Sequence, residues 1–292
     1  MPSAPDYLAY QLVVRSSLPI PGAIALAPLD PGRARHVDIE ISEGPVVADA
    51  AARRAGPYHL FDKQVIFEAR GVGRYRCTRG AITIARVDGA DDAILAGFLV
   101  ATALPICLWL RGEFVLHAAA AWLPNAAGAV AIAGRSGSGK STVLRELVGL
   151  GARMVADDSL CLRRSAAGLE ASGLAAGYFL GAAPRPFHEL RRDQQVPAAP
   201  LAGLVILETP RSHSPVGIRP LHGVSALEAL LNHRHRARVP ELLGIAASQL
   251  GMLSAVAARL PIHLWQRREG AIALAPSELD FLAGLSGAGA LQ

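Results

Sequence analysis

The run Gly134-Arg135-Ser136-Gly137-Ser138-Gly139-Lys140-Ser141-Thr142 limits the possible folds more than any other stretch. It fits G-x-x-x-x-G-K-[ST], with an apolar strand-like run, AVAIA (129–133), before it and a helix-forming run, TVLRELVGL (142–150), after it. A strand that ends in a glycine-rich loop and resumes as a helix turns successive backbone N–H groups inward as an anion nest. The helix N-terminus then points at the same spot. Lys140 adds a mobile charge for β- and γ-phosphates, and Ser141 offers a hydroxyl to Mg2+. Gly134 to Thr142 therefore read as a nucleotide site, with ATP and Mg2+ as the expected cofactors.

Composition narrows the class further. Of the 292 residues 51% are hydrophobic and 18% charged, and the mean hydropathy is +0.31, which excludes disorder, collagen and coiled coil. The net charge of +5 suits anionic ligands but is too thinly spread for nucleic-acid binding. Only two of the basic residues are lysines, Lys63 and Lys140. The three cysteines lack framework spacing and fit a reducing, cytoplasmic setting, and the N-terminus shows no signal-peptide pattern. Ile94 to Leu110 is apolar and falls short of the ~20 residues of a usual membrane span, so a buried core helix is expected rather than a membrane segment.

Along the chain, residues 1–90 read as a small β-rich region for scaffolding or substrate docking. HVDIEIS (36–42), QVIFEAR (64–70) and YRCTRGAITIARV (75–87, turning at Gly80) alternate as strands do. From 91 to 292 helices and strands alternate, the mark of an α/β catalytic domain. The order is a helix at about 91–111, strands at 114–123, 129–133, 152–156, 204–208 and 261–266, and helical stretches near 224–232 and 240–259. The segment 168–184 reads as loop or short strands.

Val155-Ala156-Asp157-Asp158-Ser159 puts two carboxylates at the end of the strand after the loop, 24 residues beyond Gly134. Carboxyl ends of neighbouring parallel strands open onto one crevice, so both acids are expected to face the phosphate site. Adjacent residues point in different directions, so one can hold Mg2+ while the other takes a proton from an incoming hydroxyl. His117 lies on the strand next to the one that enters the loop.

Together the LHAAA strand, the GRSGSGKS loop and the VADDS strand end resemble the HPr kinase/phosphorylase-like serine kinases. The closer likeness is to those that modify lasso-peptide precursors at their C-terminal serine, and it spans about residues 113–265. The resemblance implies a P-loop kinase core of the HPr kinase C-terminal type. It makes Asp158 the general base on the serine hydroxyl, Asp157 a metal residue, and His117 the histidine that precedes the loop. It also implies Glu189 near Mg2+ and Arg191 near phosphate, from GAAPRPFHELRR (181–192), although HELRR departs from the family's Glu-x-Arg-Gly run. A downstream phosphorylase signature is missing, which favours a kinase only, and the first ~110 residues do not resemble the bifunctional enzyme's N-terminal domain.

The expected activity is thus transfer of the γ-phosphate of ATP to a serine of a peptide or small protein, with Lys140, His117 and Asp158 as catalytic residues and Ser141, Asp157 and Glu189 at the metal. The alternatives are a kinase of a small hydroxylated metabolite and a non-catalytic nucleotide-binding regulator. No nucleic-acid or membrane partner is expected, and a homo-oligomer is allowed. The basic run Asn232 to Arg238 reads as a solvated helix end, or else as an arm that meets an acidic peptide or the phosphates. Leu285 to Ala288 faintly resembles the signature of transporter ATPases but has no strand after it.

Overall fold

The computed structural model describes residues 4–29, 34–47, 52–166, 168–179, 186–209, 216–268, 270 and 273–287. Two mixed sheets and seven α-helices make an α/β fold among these residues. The first sheet collects β1 (Asp6–Ala9), β2 (Leu12–Ser16), β3 (Ile24–Ala25), β4 (Ile39–Glu43), β5 (Arg53–Ala55), β6 (Tyr58–Phe61), β7 (Gln64–Ala69), β8 (Gly73–Cys77) and β9 (Ala81–Arg86). Their spatial order is β3-β1-β2-β4-β9-β8-β7-β6-β5. Alternation sets the buried face, as Leu12, Val14 and Ser16 point in while Val13 and Arg15 are half-buried. The β1–β2 hairpin turns on Tyr10 and Gln11, with φ of 53° and 60°, the two-residue left-handed turn that matches strand twist.

α1 (Asp92–Phe98) starts at Asp91, whose carboxylate accepts from the Ala93 and Ile94 N–H groups at 2.8 and 3.0 Å. A π-helical turn over Leu99–Ala103 leads into α2 (Leu104–Leu110). The continuous helix is long and apolar enough to cross a membrane, but here it lies mostly inside the fold. Leu95, Leu99, Leu104, Ile106 and Leu108 are fully buried in one hydrophobic cluster that also holds residues of both sheets. Helix and sheets thus share a core across residue 90.

The second sheet comprises β10 (Phe114–Leu116), β11 (Ala118–Trp122), β12 (Ala129–Gly134), β13 (Arg153–Ala156), β14 (Leu160–Ser165), β15 (Gly168–Ser172), β18 (Ala198–Glu208), β19 (Gly217–Leu221) and β20 (Ile262–Gln266). A separate ribbon pairs β16 (Gly177–Phe179) with β17 (Phe187–Glu189). Around them lie α3 (Lys140–Gly149), α4 (Gly223–Asn232), α5 (Arg238–Leu243), α6 (Ala246–Arg259) and α7 (Pro276–Ser286). The expected helix at 240–259 is two, because Gly244 ends α5 in the left-handed region at φ 71°.

One expectation needs correction. The strand before the phosphate loop and the strand before the aspartates are not neighbours: β11 lies between β12 and β13, antiparallel to both. The acids still come to the loop, because where two parallel strands end, the antiparallel strand between them begins. Ala118 pairs with Ala133 and Ala120 with Ala156, so His117, Gly134 and Asp157 converge on one edge.

Candidate active site

Every residue of β12 is buried, and it delivers the chain to Gly134. A Cβ at Gly134 would lie 2.5 Å from both the Leu207 carbonyl and Ser138 Oγ, so nothing larger than glycine fits there. Gly139, at φ 97°, turns the loop into the first residue of α3. Arg135, Ser136 and Gly137 are exposed at the crest, while Ser141 and Thr142 are half-buried in the first turn of the helix. Among the described residues the buried Ser138 hydroxyl has no hydrogen-bond partner, an orphan of the kind an anion in the nest would satisfy.

Lys140 is 6% exposed, and its ammonium folds back on its own loop. Nζ donates to the Gly134 and Arg135 carbonyls at 2.9 and 3.2 Å and lies 3.0 Å from His117 Nε2. Because an ammonium only donates, Nε2 is the acceptor, and the His117 proton sits on Nδ1. Nδ1 lies 2.9 Å from the Asp158 carbonyl and 3.4 Å from its Oδ1. A continuous line of polar contacts therefore runs from the phosphate loop through His117 to Asp158. Burial, and then the charge of Lys140, outweigh the pull of Asp158 and lower the His117 pKa, so the ring is neutral near pH 7.

The two aspartates have opposite surroundings. Asp157 accepts the Ser141 hydroxyl at 2.9 Å, and burial first, then the neighbouring Asp158 charge, push its carboxyl up to about 6. Burial works against the charge of Asp158 too, but His235, His117, Lys140 and Arg236 together hold its pKa below the usual value. Its side chain keeps 46% of its surface, so an acceptor can reach it. Asp158 has φ 69° and the Ser159 N–H bonds the Asp157 carbonyl at 2.9 Å, a tight γ-turn that holds strain of about 1–3 kcal/mol.

Tyr10 comes from the distant β1–β2 hairpin and is 1% exposed, with its hydroxyl 2.5 Å from Ser159 Oγ. Its N–H donates to the Gly173 carbonyl at 3.2 Å, and its own carbonyl accepts from Arg163. The hairpin tip is thereby clamped against the turn that carries Asp158. Tyr10→Phe, which deletes that one hydrogen bond, is expected to lower stability by about 1 kcal/mol in urea unfolding; an unchanged midpoint would remove the clamp.

The basic run is neither a solvated helix end nor a free arm. It packs on the β10–β11 junction: the His117 N–H donates to the His233 carbonyl at 2.7 Å, and the His235 N–H donates to the Val115 carbonyl at 2.8 Å. His235 is 4% exposed, and burial drops its pKa to about 4; His233 falls to about 4 for the same reason. The cause lies in the apolar helix. Pro105 has no N–H to give to the carbonyl four residues back, that of Ala101 in the π-helical turn. That carbonyl instead accepts from His235 Nε2 at 3.0 Å and from Arg236 Nε and Nη2 at 3.0 and 2.8 Å. A proline inside an apolar run and a distant His-Arg-His-Arg segment were the signals of this in the sequence.

Among the described residues no contact brings Glu189 or Arg191 to the loop. Glu189 is exposed on β17, opposite Gly177. The Arg191 side chain bonds Asp193 at 3.1 Å in solvent. Residues 181–185 of the segment that suggested both roles lie outside the described residues.

No protein-family model and no curated protein matches the chain. Among solved structures, the HPr(Ser) kinase/phosphatase from Coxiella burnetii aligns with a TM-score of 0.34 and 16% identity, over 52% of this chain and 85% of that one. At that score the likeness says nothing of activity, and the chemistry has to be read from the side chains.

Proposed function

We propose that the chain is an ATP- and Mg2+-dependent kinase that transfers the γ-phosphate to a serine hydroxyl of a peptide or small protein. The observation that carries this reading is the line Lys140–His117–Asp158, with the Ser141–Asp157 pair beside it, at the edge where the glycine loop opens.

The loop amides and the orphan Ser138 hydroxyl would take the phosphate oxygens, and Lys140 would leave its loop carbonyls for the β- and γ-phosphates. The paired oxygens of Ser141 and Asp157 suit a hard cation, and Mg2+ bound there would neutralise charge on the phosphates. Asp158, ionised and reachable, would accept the proton of the serine hydroxyl as it attacks phosphorus. His117 would hold Asp158 through Nδ1 and exchange its Nε2 partner when Lys140 moves to the nucleotide. Transfer of this kind needs positioning and charge neutralisation more than covalent help. The likeness of the motifs to lasso-peptide precursor kinases makes a peptide with a C-terminal serine the first acceptor to try.

The test is transfer of labelled γ-phosphate to serine-ended peptides and to pooled small metabolites. Label on peptide serine supports the reading; label on metabolites alone would move the chain to the small-molecule class. Lys140→Ala, which loses a charged contact to phosphate, is expected to weaken ATP binding by roughly 10–100-fold in calorimetry. Equal affinity would dismiss the loop as the phosphate site.

A further inference from the structure

The segment 233–236 adds to this edge a side chain with no part in phosphate transfer. One ring nitrogen of His117, one of His235 and a carboxylate oxygen of Asp158 all lie within 4.8 Å of one another. They arrive from three separate elements, namely the β10–β11 junction, the turn after β13 and the segment after α4. We propose that His117, Asp158 and His235 bind a divalent transition-metal ion of the zinc class, in competition with Lys140, and that this ion switches off the site.

Four features of the trio support this. Two imidazoles and one carboxylate, with an open fourth position, form a donor set that suits zinc-class ions and not Mg2+. Ligands must be free of protons to bind a metal, and His117 Nε2 already serves as an acceptor, facing the Lys140 ammonium at 3.0 Å. Each ring is also oriented by its other nitrogen. His235 Nε2 donates to the Ala101 carbonyl, leaving Nδ1 as its basic atom, and His117 Nδ1 donates to the Asp158 carbonyl, leaving Nε2. An outer hydrogen bond of this kind is what fixes a metal-binding histidine. Finally, tetrahedral donors sit roughly 3.3 Å apart around Zn2+, and one donor atom from each of the three side chains already lies within 4.8 Å of the others, so side-chain rotation brings the trio onto an ion.

The His117 Nε2 lone pair now faces the Lys140 ammonium at 3.0 Å. The metal and the ammonium compete for it, so the ion takes His117 and Asp158 out of service only when Lys140 withdraws. Binding does not depend on the kinase reading; only the inhibitory consequence rests on it.

The experiment is titration of the nucleotide-free full chain with Zn2+ by calorimetry and with Co2+ by its visible absorption. One saturable site with the intense bands of tetrahedral cobalt is expected. His235→Gln keeps an amide to donate to the Ala101 carbonyl and removes the ligand nitrogen, and it should weaken binding by roughly 100-fold with unchanged circular dichroism. Lys140→Ala removes the competing charge and should tighten binding by roughly tenfold, an outcome a surface histidine site would not give. Equal affinity in wild type and His235→Gln, or no saturable binding, overturns the site. Micromolar Zn2+ should also slow wild-type phosphate transfer while leaving His235→Gln at its own zinc-free rate. Tight binding without inhibition would keep the site and remove the switch, whereas absence of transfer with every acceptor would count against the kinase reading alone.

Discussion

Asp158→Asn is expected to slow phosphate transfer by about 10²–10⁴-fold, the usual contribution of a positioned general base, while ATP binding stays within a few-fold of wild type. The substitution is a clean one for a structural reason. Asp158 occupies the left-handed region at φ 69°, and asparagine is among the few side chains that tolerate it, so the γ-turn survives and only the charge is lost. Asp158→Gly adds a second readout: glycine relieves the turn, so about 1 kcal/mol of stability should be gained as activity disappears. A residue that gives up stability by holding its backbone in this region, and whose relief destroys activity, is doing chemistry. Single-turnover rates and urea unfolding measure the two effects separately. Transfer by Asp158→Asn within threefold of wild type would take the proton-acceptor role away from this carboxylate.

Much of this site was legible in the residues because its signals are local. The glycine loop between an apolar strand and a helix, the two aspartates at a strand end and a histidine upstream each need only a few adjacent residues to be seen. Topology was less legible. Nothing in the run FVLHAAAAWL announces that His117 breaks it in two, so that Phe114–Leu116 pairs with β14 while Ala118–Trp122 slips between β12 and β13. The long-range partners were invisible for physical reasons. Tyr10 and Gln11 form a left-handed turn without the glycine or asparagine that usually marks one, so the hairpin that clamps Ser159 left no trace in the pattern. His235 looked like surface charge because its burial depends on a carbonyl to which Pro105, over a hundred residues earlier, has no N–H to give. The reading of Ile94 to Leu110 as a core helix agrees with the fold, in which Trp109 is 1% exposed and donates to the His235 carbonyl at 2.9 Å. Glu189 rests on resemblance of motif alone: it is exposed on β17, and among the described residues no contact ties it to the loop.

Asp157→Asn should make the protein more stable at pH 8 and inactive. The Asp157 carboxyl lies near 3.8 in an unfolded chain and about 6 in the fold, because burial and the neighbouring Asp158 charge both oppose its ionisation. A raised carboxyl contributes stability that is fully present below its unfolded pKa and is lost as pH rises through its folded pKa. At pH 8 the ionised group therefore weakens the fold by something on the order of 3 kcal/mol. Asparagine keeps the amide oxygen that accepts from Ser141 and removes the charge, so unfolding in urea should show the gain at pH 8 and none at pH 4. A gain of equal size at both values would mean better packing rather than relieved charge, and no gain at pH 8 would mean that the carboxyl is not under electrostatic stress. The same stress bears on function, because a Mg2+ ion beside Ser141 and Asp157 would stabilise the ionised form that the fold alone disfavours. Mg-nucleotide should then raise the melting temperature of the wild-type chain far more at pH 8 than at pH 5, and Asp157→Asn should lose most of that difference together with at least 10²-fold of its transfer rate. The carboxylate that destabilises the free protein would thus be the group that makes cation binding worth several kcal/mol, a trade of stability for function set by two adjacent acids at one strand end.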